Sequence, residues 1–238
     1  VAPVAGVDAV ALLALARAAA GQAGDLLLAG RGGLDPVRDV TAKSTPTDVV
    51  TRLDVAAEEA IRRTLLTARP GDVVVGEEGG TTQGDGQVRW VVDPLDGTVN
   101  YLYGIPAWSV SIAAQVAGQT VVGVVAVPPL AATYWAVLGG GAYRDGVGLR
   151  ASGASELSQA LLATGFGYDA GLRARQGTAL AGLIPEVRDV RRLGSAALDL
   201  CLLAEGAVDL YYERGLNDWD RAAGALVARE AGAVVEVD

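Results

Sequence analysis

Two aspartates three positions apart, Asp93 and Asp96, close the apolar run Val88–Val92 and are followed by Gly97 and Thr98. The run is β-branched and reads as a buried strand. Carboxylates at its end need hydrogen bonds, counter-charge or a metal, because an uncompensated buried charge is strongly destabilising. Pro94 fixes φ and lacks an N–H, so the chain bends between the aspartates and can turn the Leu95 carbonyl towards the same point. Gly97 lets a ligand approach the backbone, and Thr98 adds a hydroxyl and an N–H. Hard oxygen donors beside exposed backbone suit Mg²⁺ held against a phosphate. The same residue types also build ordinary turns.

Other acidic residues stand where elements begin or end. Glu77 and Glu78 follow the short strand Val73–Val75, where adjacent glutamates read as a solvated loop or place one carboxylate, Glu77, at the strand end, with Glu78 pointing the other way if the chain stays extended. Asp54 lies in the first turn of a helix over Asp54–Ala68, where capping is its ordinary role. Asp218 and Asp220 flank Trp219 at the start of a helix over Asp218–Ala231, again as caps or as ligands. Ser195 opens a helix over Ser195–Glu205 whose small first residues, Ala196 and Ala197, leave its N–H groups open to an anion. Glu213 ends the strand Val208–Tyr212, a place for a specificity residue.

Composition narrows the chemistry further. There is no histidine, which excludes Ser-His-Asp and Cys-His catalysis and His-ligated zinc. With no histidine and Lys43 the only lysine, any carboxylates that converge from these segments are expected to do so without a histidine or lysine to neutralise them. A net charge of −9 argues against a nucleic-acid surface. The single Cys201 permits no internal disulfide, fits a reducing cytoplasm, and reads as a buried thiol. No apolar run is expected to approach a bilayer span, and the N-terminal residues show no signal-peptide pattern.

Positioning elements follow from periodicity. Val7–Ala29 is helical with Gly30 as its stop, and Arg31–Asp39 is a loop. Strands are expected at Ser109–Gln115, Thr120–Val127 and Thr133–Leu138, with Gly139–Gly141 a hairpin turn and Ala142–Arg144 returning. Residues 1–150 thus form an α+β half with a mainly antiparallel sheet. Residues 151–238 alternate as an α/β half: strands at Ala160–Thr164, Val187–Val190 and Val234–Val237 accompany a helix at Leu172–Ile184. The two halves are expected to make one domain over 1–238, with the site where they meet; a final strand that ends the sequence leaves an incomplete C-terminal sheet edge as an expectation.

The string DPLDGTVNYLYGIP at 93–106 closely resembles the signature of the inositol monophosphatase family of Mg²⁺-dependent, lithium-sensitive phosphatases. Haloacid dehalogenase-type phosphatases also follow a strand with an aspartate loop, but their two aspartates lie two apart. Further matches run in the family's order: the Lys43–Thr51 segment (a mobile loop beside the site), GEE at 76–78, GSAA at 194–197 and WDRAAG at 219–224. Leu95 and Tyr101 replace a more frequent isoleucine and phenylalanine. The resemblance implies a layered α-β-α-β-α sandwich, usually dimeric. It puts two or three Mg²⁺ on Glu77, Asp93, the Leu95 carbonyl, Asp96 and Asp220, with Li⁺ as inhibitor. It gives Thr98 and Asp54, with Glu77, to activation of the attacking water. Asp96, Gly97, Thr98, Ser195, Ala196 and Glu213 would surround the substrate. The implied function is hydrolysis of a small phosphate monoester, myo-inositol 1-phosphate first, in a cytoplasmic homodimer with no nucleic-acid or membrane partner. Fructose-1,6-bisphosphatase, histidinol-phosphatase or phosphoadenosine phosphate phosphatase activity, or a non-catalytic regulatory role, stand as alternatives.

Overall fold

The computed structural model describes residues 6–33, 40–43 and 48–236. In chain order the elements are α1 (Ala9–Gly30), β1 (Val40–Ala42), β2 (Val49–Thr51), α2 (Arg52–Ala68), β3 (Val73–Gly76), β4 (Gly80–Thr81), β5 (Val88–Asp96) and α3 (Thr98–Tyr103). Next come β6 (Ser109–Val116), β7 (Gln119–Val127), β8 (Ala132–Val137), β9 (Gly141–Arg144) and β10 (Val147–Gly148). The remainder is β11 (Leu161–Thr164), α4 (Ala170–Leu183), β12 (Asp189–Arg191), α5 (Ala196–Ala204), β13 (Leu210–Tyr212) and α6 (Asp218–Glu230).

Eight strands form one sheet in the order β10-β9-β8-β7-β6-β5-β3-β4, antiparallel except for the β3–β5 pair. Its central strands are apolar at successive positions because both faces are covered. Trp90, Val92, Ile112 and Val124 pack against α1 and α2, whereas Val91, Ala113 and Val125 pack against α5 and α6. Beyond α5 and α6 lies a parallel three-stranded sheet, β12-β11-β13, and α4 with it. Helices and sheets therefore alternate as the layered sandwich expected. The α4 layer is the loosest; of its residues only Gln176 is buried, and its three glycines weaken it as a helix.

Four departures from the expected elements have physical causes. β5 does not stop at Val92 but runs to Asp96, because Asp93 still pairs with Ser111 and Asp96 with Ser109. The register shift between them is a bulge that absorbs Pro94, which has no N–H to give the ladder. Between the two strands expected at Val88–Val92 and Ser109–Gln115, Thr98–Tyr103 is a short helix flanked by Gly97 and Gly104, both with positive φ (95° and 78°). Ala233–Glu236 is in neither helix nor strand; Ala233 N–H goes back to Ala228 O, and Val234 is 90% exposed. Val237, Ser44–Thr47 and Leu34–Asp39 lie outside the described residues. Finally, α1 at 22 residues is long and apolar enough to cross a membrane, contrary to expectation. Its small residues Ala16, Ala19, Ala20 and Ala23 are fully buried in the core, and Arg17 and Asp25 interrupt its apolar surface.

Candidate functional site

The site forms where β3, β5, α5 and α6 end together around a cavity of about 270 Å³. Glu77, Asp96, Ser195, Ala196, Glu213 and Asp220 line it. Asp93, Asp54 and Thr98 are buried and are not part of its wall. A larger cavity of about 640 Å³ shares Glu213–Leu216 with it, but no aspartate lines that one.

Each carboxylate is anchored by a hydrogen bond, local for Asp93 and Asp220 and distant in sequence for Asp96 and Glu77. Asp93 Oδ1 accepts the Leu95 N–H at 3.0 Å, across the proline bulge. Asp96 Oδ2 accepts the Ser195 hydroxyl at 2.6 Å and the Ala197 N–H at 2.8 Å, which ties β5 to the start of α5. Asp220 Oδ2 accepts the Asn217 N–H at 2.6 Å, as the third residue of a capping box. Glu77 Oε1 accepts from Lys43 Nζ at 2.8 Å. The described hydrogen bonds to each of these four use one oxygen only.

Electrostatics distinguish this cluster from a set of surface acids. Burial, then the charges of Glu77, Asp96 and Asp220, pushes Asp93 well above the usual carboxylate range. Burial also raises Asp96 to about 7 against the lowering bonds from Ser195 and Ala197. Asp220 is raised to about 8, by burial first and the Asp96 charge second. Acids held this way want a cation. The donors are all oxygen, each aspartate or glutamate keeps a second oxygen, and the Leu95 carbonyl stands beside them, so the set fits a hard divalent ion such as Mg²⁺. Among the described residues no three acidic side chains are already closed around a single point.

Three expectations need correction. The cluster does have a lysine: Lys43 Nζ bonds both Glu77 and Glu78. Burial pulls the Lys43 ammonium down, but the two glutamates outweigh it and hold the group above its usual range. Glu78 does not point away, because residues 77–79 form a turn rather than extended chain, which brings both glutamates to one lysine. Burial raises Glu78 to about 7 against the lowering contacts of Lys43. The first N–H groups of α5 are also less open than expected: Ala197 N–H serves Asp96, and Leu198 N–H reaches Ser195 Oγ at 3.4 Å.

Asp54 joins two roles. Its Oδ2 accepts the Thr51 N–H at 3.0 Å and the Thr51 hydroxyl at 2.5 Å, closing the capping box of α2. Its Oδ1 accepts the Thr98 hydroxyl at 3.0 Å. That hydroxyl also lies 3.1 Å from the Leu95 carbonyl. Burial raises Asp54 against the lowering bonds from Thr51 and Thr98. Gly97 is required here by space as well as φ, since a Cβ would sit 2.9 Å from Ala107 O and 3.1 Å from Gly194 O. In the cavity wall, Glu213 Oε2 accepts the Tyr211 hydroxyl at 2.6 Å, and burial raises Glu213 above its usual range.

Some residues of the site were not singled out by sequence. Ser109 shares a 3.1 Å hydroxyl contact with Ser195, and Arg192 and Arg214 line the cavity. Glu58 grips the 77–79 turn; its signal was its position one turn after Asp54 on the same helix face.

Known proteins match this arrangement over nearly the whole chain. The pattern of the inositol monophosphatase family matches residues 8–237. Inositol-1-monophosphatase of Mycobacterium bovis is 53% identical over 205 residues, 82% of this chain and 71% of that protein. Nus factor SuhB of Escherichia coli K12 is 41% identical over 226 residues, 94% of this chain and 84% of that protein. The solved structure of Mycobacterium tuberculosis SuhB is similar with a TM-score of 0.83 at 45% identity, covering 96% of this chain and 87% of that one. The matched span includes every acidic loop around the cavity, and sequence and fold agree: the chain belongs to the inositol monophosphatase family.

Proposed function

We propose that this chain hydrolyses a phosphate monoester with Mg²⁺, and that myo-inositol 1-phosphate is its best substrate. The observation that carries the reading is the convergence of Glu77, Asp96 and Asp220 on one cavity, with Glu213 in its wall and the Thr98–Asp54 pair buried close by. Glu77, Asp93, Asp96, Asp220 and the Leu95 carbonyl would hold the ions. When bound, Mg²⁺ supplies positive charge against the phosphate and Lewis acidity at the reacting oxygens.

The chain's own groups do the rest. Thr98 donates its proton to Asp54, which leaves a hydroxyl lone pair to accept from an attacking water. Asp54, raised by burial, is suited to take up proton density as that water ionises. The N–H groups of Gly97 and Thr98 would orient phosphate oxygens. Glu213 is held through Oε2 by Tyr211, and its other oxygen would accept substrate hydroxyls together with the Ala196 backbone. Val99 follows the loop threonine where a basic residue would favour a second anionic group. Arg192 and Arg214 do line the cavity, so discrimination against a bisphosphate falls to Glu213 and the acidic cluster.

Turnover of inositol, fructose, histidinol and adenosine phosphates, with Mg²⁺ and with excess EDTA, tests both parts. The expected result is the highest kcat/KM on myo-inositol 1-phosphate, no turnover under chelation, and inhibition by Li⁺. Full activity in EDTA would sink the metal assignment, and a preference for histidinol phosphate or a bisphosphate would overturn the substrate alone. The Nus factor name of the Escherichia coli relative favours a second reading, a regulatory protein built on the same fold. A chain that binds Mg²⁺ yet turns over none of these esters would support it.

A further inference from the structure

Glu58 lies on α2 one turn beyond Asp54 and is 2% exposed. A carboxylate so deeply buried needs compensation, and its partners are specific. Its Oε2 accepts the Glu78 N–H at 2.7 Å, and its Oε1 accepts the Gly79 N–H at 2.8 Å and Arg62 Nε at 2.7 Å. Arg62 spends other donors on Val74 O (3.4 Å) and Gly80 O (2.5 Å), so the pair grips β3, β4 and the turn between them. Two glycines of this segment are explained by the same carboxylate. A Cβ on Gly76 would lie 2.4 Å from the Glu58 carboxyl, and one on Gly79 would lie 2.7 Å from its Oε1. Neither glycine has a positive φ, so a side chain there would meet no backbone strain but would have to displace the Glu58 carboxyl. With the N–H groups of residues 78 and 79 drawn to α2, the turn is fixed and Glu77 is left facing the cavity.

We infer that Glu58 is a positioning residue for the cation site: by fixing the 77–79 turn it sets Mg²⁺ affinity without touching the ion. The inference rests on the proposed role of Glu77 as a cation ligand. Outer partners of metal ligands typically change affinity by about 10–100-fold when removed. Asp72 provides the matched control. It is also buried, and it holds Arg69 and, at 2.9 Å, Trp90 Nε1, but it precedes β3 at the end away from Glu77.

The test is Mg²⁺ binding by titration calorimetry on the full chain, paired with kcat at saturating Mg²⁺. Glu58→Gln puts an amide donor against one of three donors, and Gly76→Ala presses a methyl on the same carboxyl from the other side. Both should raise the Mg²⁺ dissociation constant by about 10-fold or more, while kcat at saturation stays within about threefold. Asp72→Asn should lower the melting temperature and leave Mg²⁺ affinity unchanged. If Glu58→Gln does not fold, Gly76→Ala decides. Native Mg²⁺ affinity in the folded variants, or an equal loss in Asp72→Asn, overturns the inference while the proposed function stands. A native chain that neither binds Mg²⁺ nor hydrolyses an ester overturns both.

Discussion

Replacing Asp54 with asparagine separates two jobs that one side chain performs. Natively, Oδ2 serves the α2 cap through Thr51 and Oδ1 receives the Thr98 proton. Asparagine keeps one acceptor, and turned towards Thr51 it preserves the N–H bond of the capping box. Losing a cap costs about 1 kcal/mol, and here the loss is partial. Because burial disfavours the charged carboxylate, a neutral amide also removes a desolvation cost. Stability should therefore change by less than about 1 kcal/mol. The amide nitrogen then faces Thr98 and donates where the carboxylate accepted. The Thr98 proton is redirected to the Leu95 carbonyl, 3.1 Å away, and the site has lost the group that receives a proton. General-base contributions run to about 10²–10⁴-fold, so kcat should fall by at least about 100-fold, about 2.7 kcal/mol of barrier. Mg²⁺ half-saturation should move by less than about threefold, since Asp54 is not a proposed ligand. Single-turnover phosphate release at saturating Mg²⁺, with a thermal melt beside it, measures these quantities. Turnover within about threefold of native, in a folded variant, would return Asp54 to a purely capping role.

Asp220→Asn keeps the Asn217 cap but removes one of the charges on the cavity; Mg²⁺ binding and rate should both collapse while the melting temperature without metal holds or rises. Asp220 activity near native would remove it from the cation set. The Mg²⁺-free protein should lose stability as pH rises. Asp96 and Asp220 stand at about 7 and about 8 in the folded chain against a usual 3.8, so between those limits the folded state holds protons the unfolded state has released. Melting temperature without metal should fall from about pH 4 to pH 8, and added Mg²⁺ should restore more at the upper end; a rise with pH under chelation contradicts the cause assigned. Glu213→Gln should lower kcat/KM on myo-inositol 1-phosphate by about 10-fold and much less on a simple aryl phosphate; equal losses would show no contact with substrate hydroxyls.

The strands and helices were legible because both faces of the main sheet are covered and its runs stay apolar, whereas helices carry one apolar stripe. What escaped was set by contacts distant in sequence. The strand β5 continues past Val92 because Ser109 and Ser111 of β6 hold both aspartates in one ladder, and nothing in residues 93–98 announces that partner. Lys43 reaches Glu77 and Glu78 across more than thirty residues, so charge counting alone left the cluster without a cation. The last expected strand failed for the opposite reason: Ala233–Glu236 has the right residue types but no described strand to pair with.

The sequence also posed a false choice at several positions, between capping a helix and serving a site. Asp54, Asp220 and Ser195 each stand in or before the first turn of a helix, and each in fact makes a cap bond. A carboxylate has two oxygens, so the cap engages one and aims the other; Asp54 shows this directly, with Thr51 on Oδ2 and Thr98 on Oδ1. Ser195 does the same with a hydroxyl, accepting from Leu198 N–H while donating to Asp96. Capping thus holds the group rigidly on the backbone of a packed helix, which is the placement a reactive oxygen needs. At a helix start that faces a cavity, a cap bond is therefore no argument against a functional role.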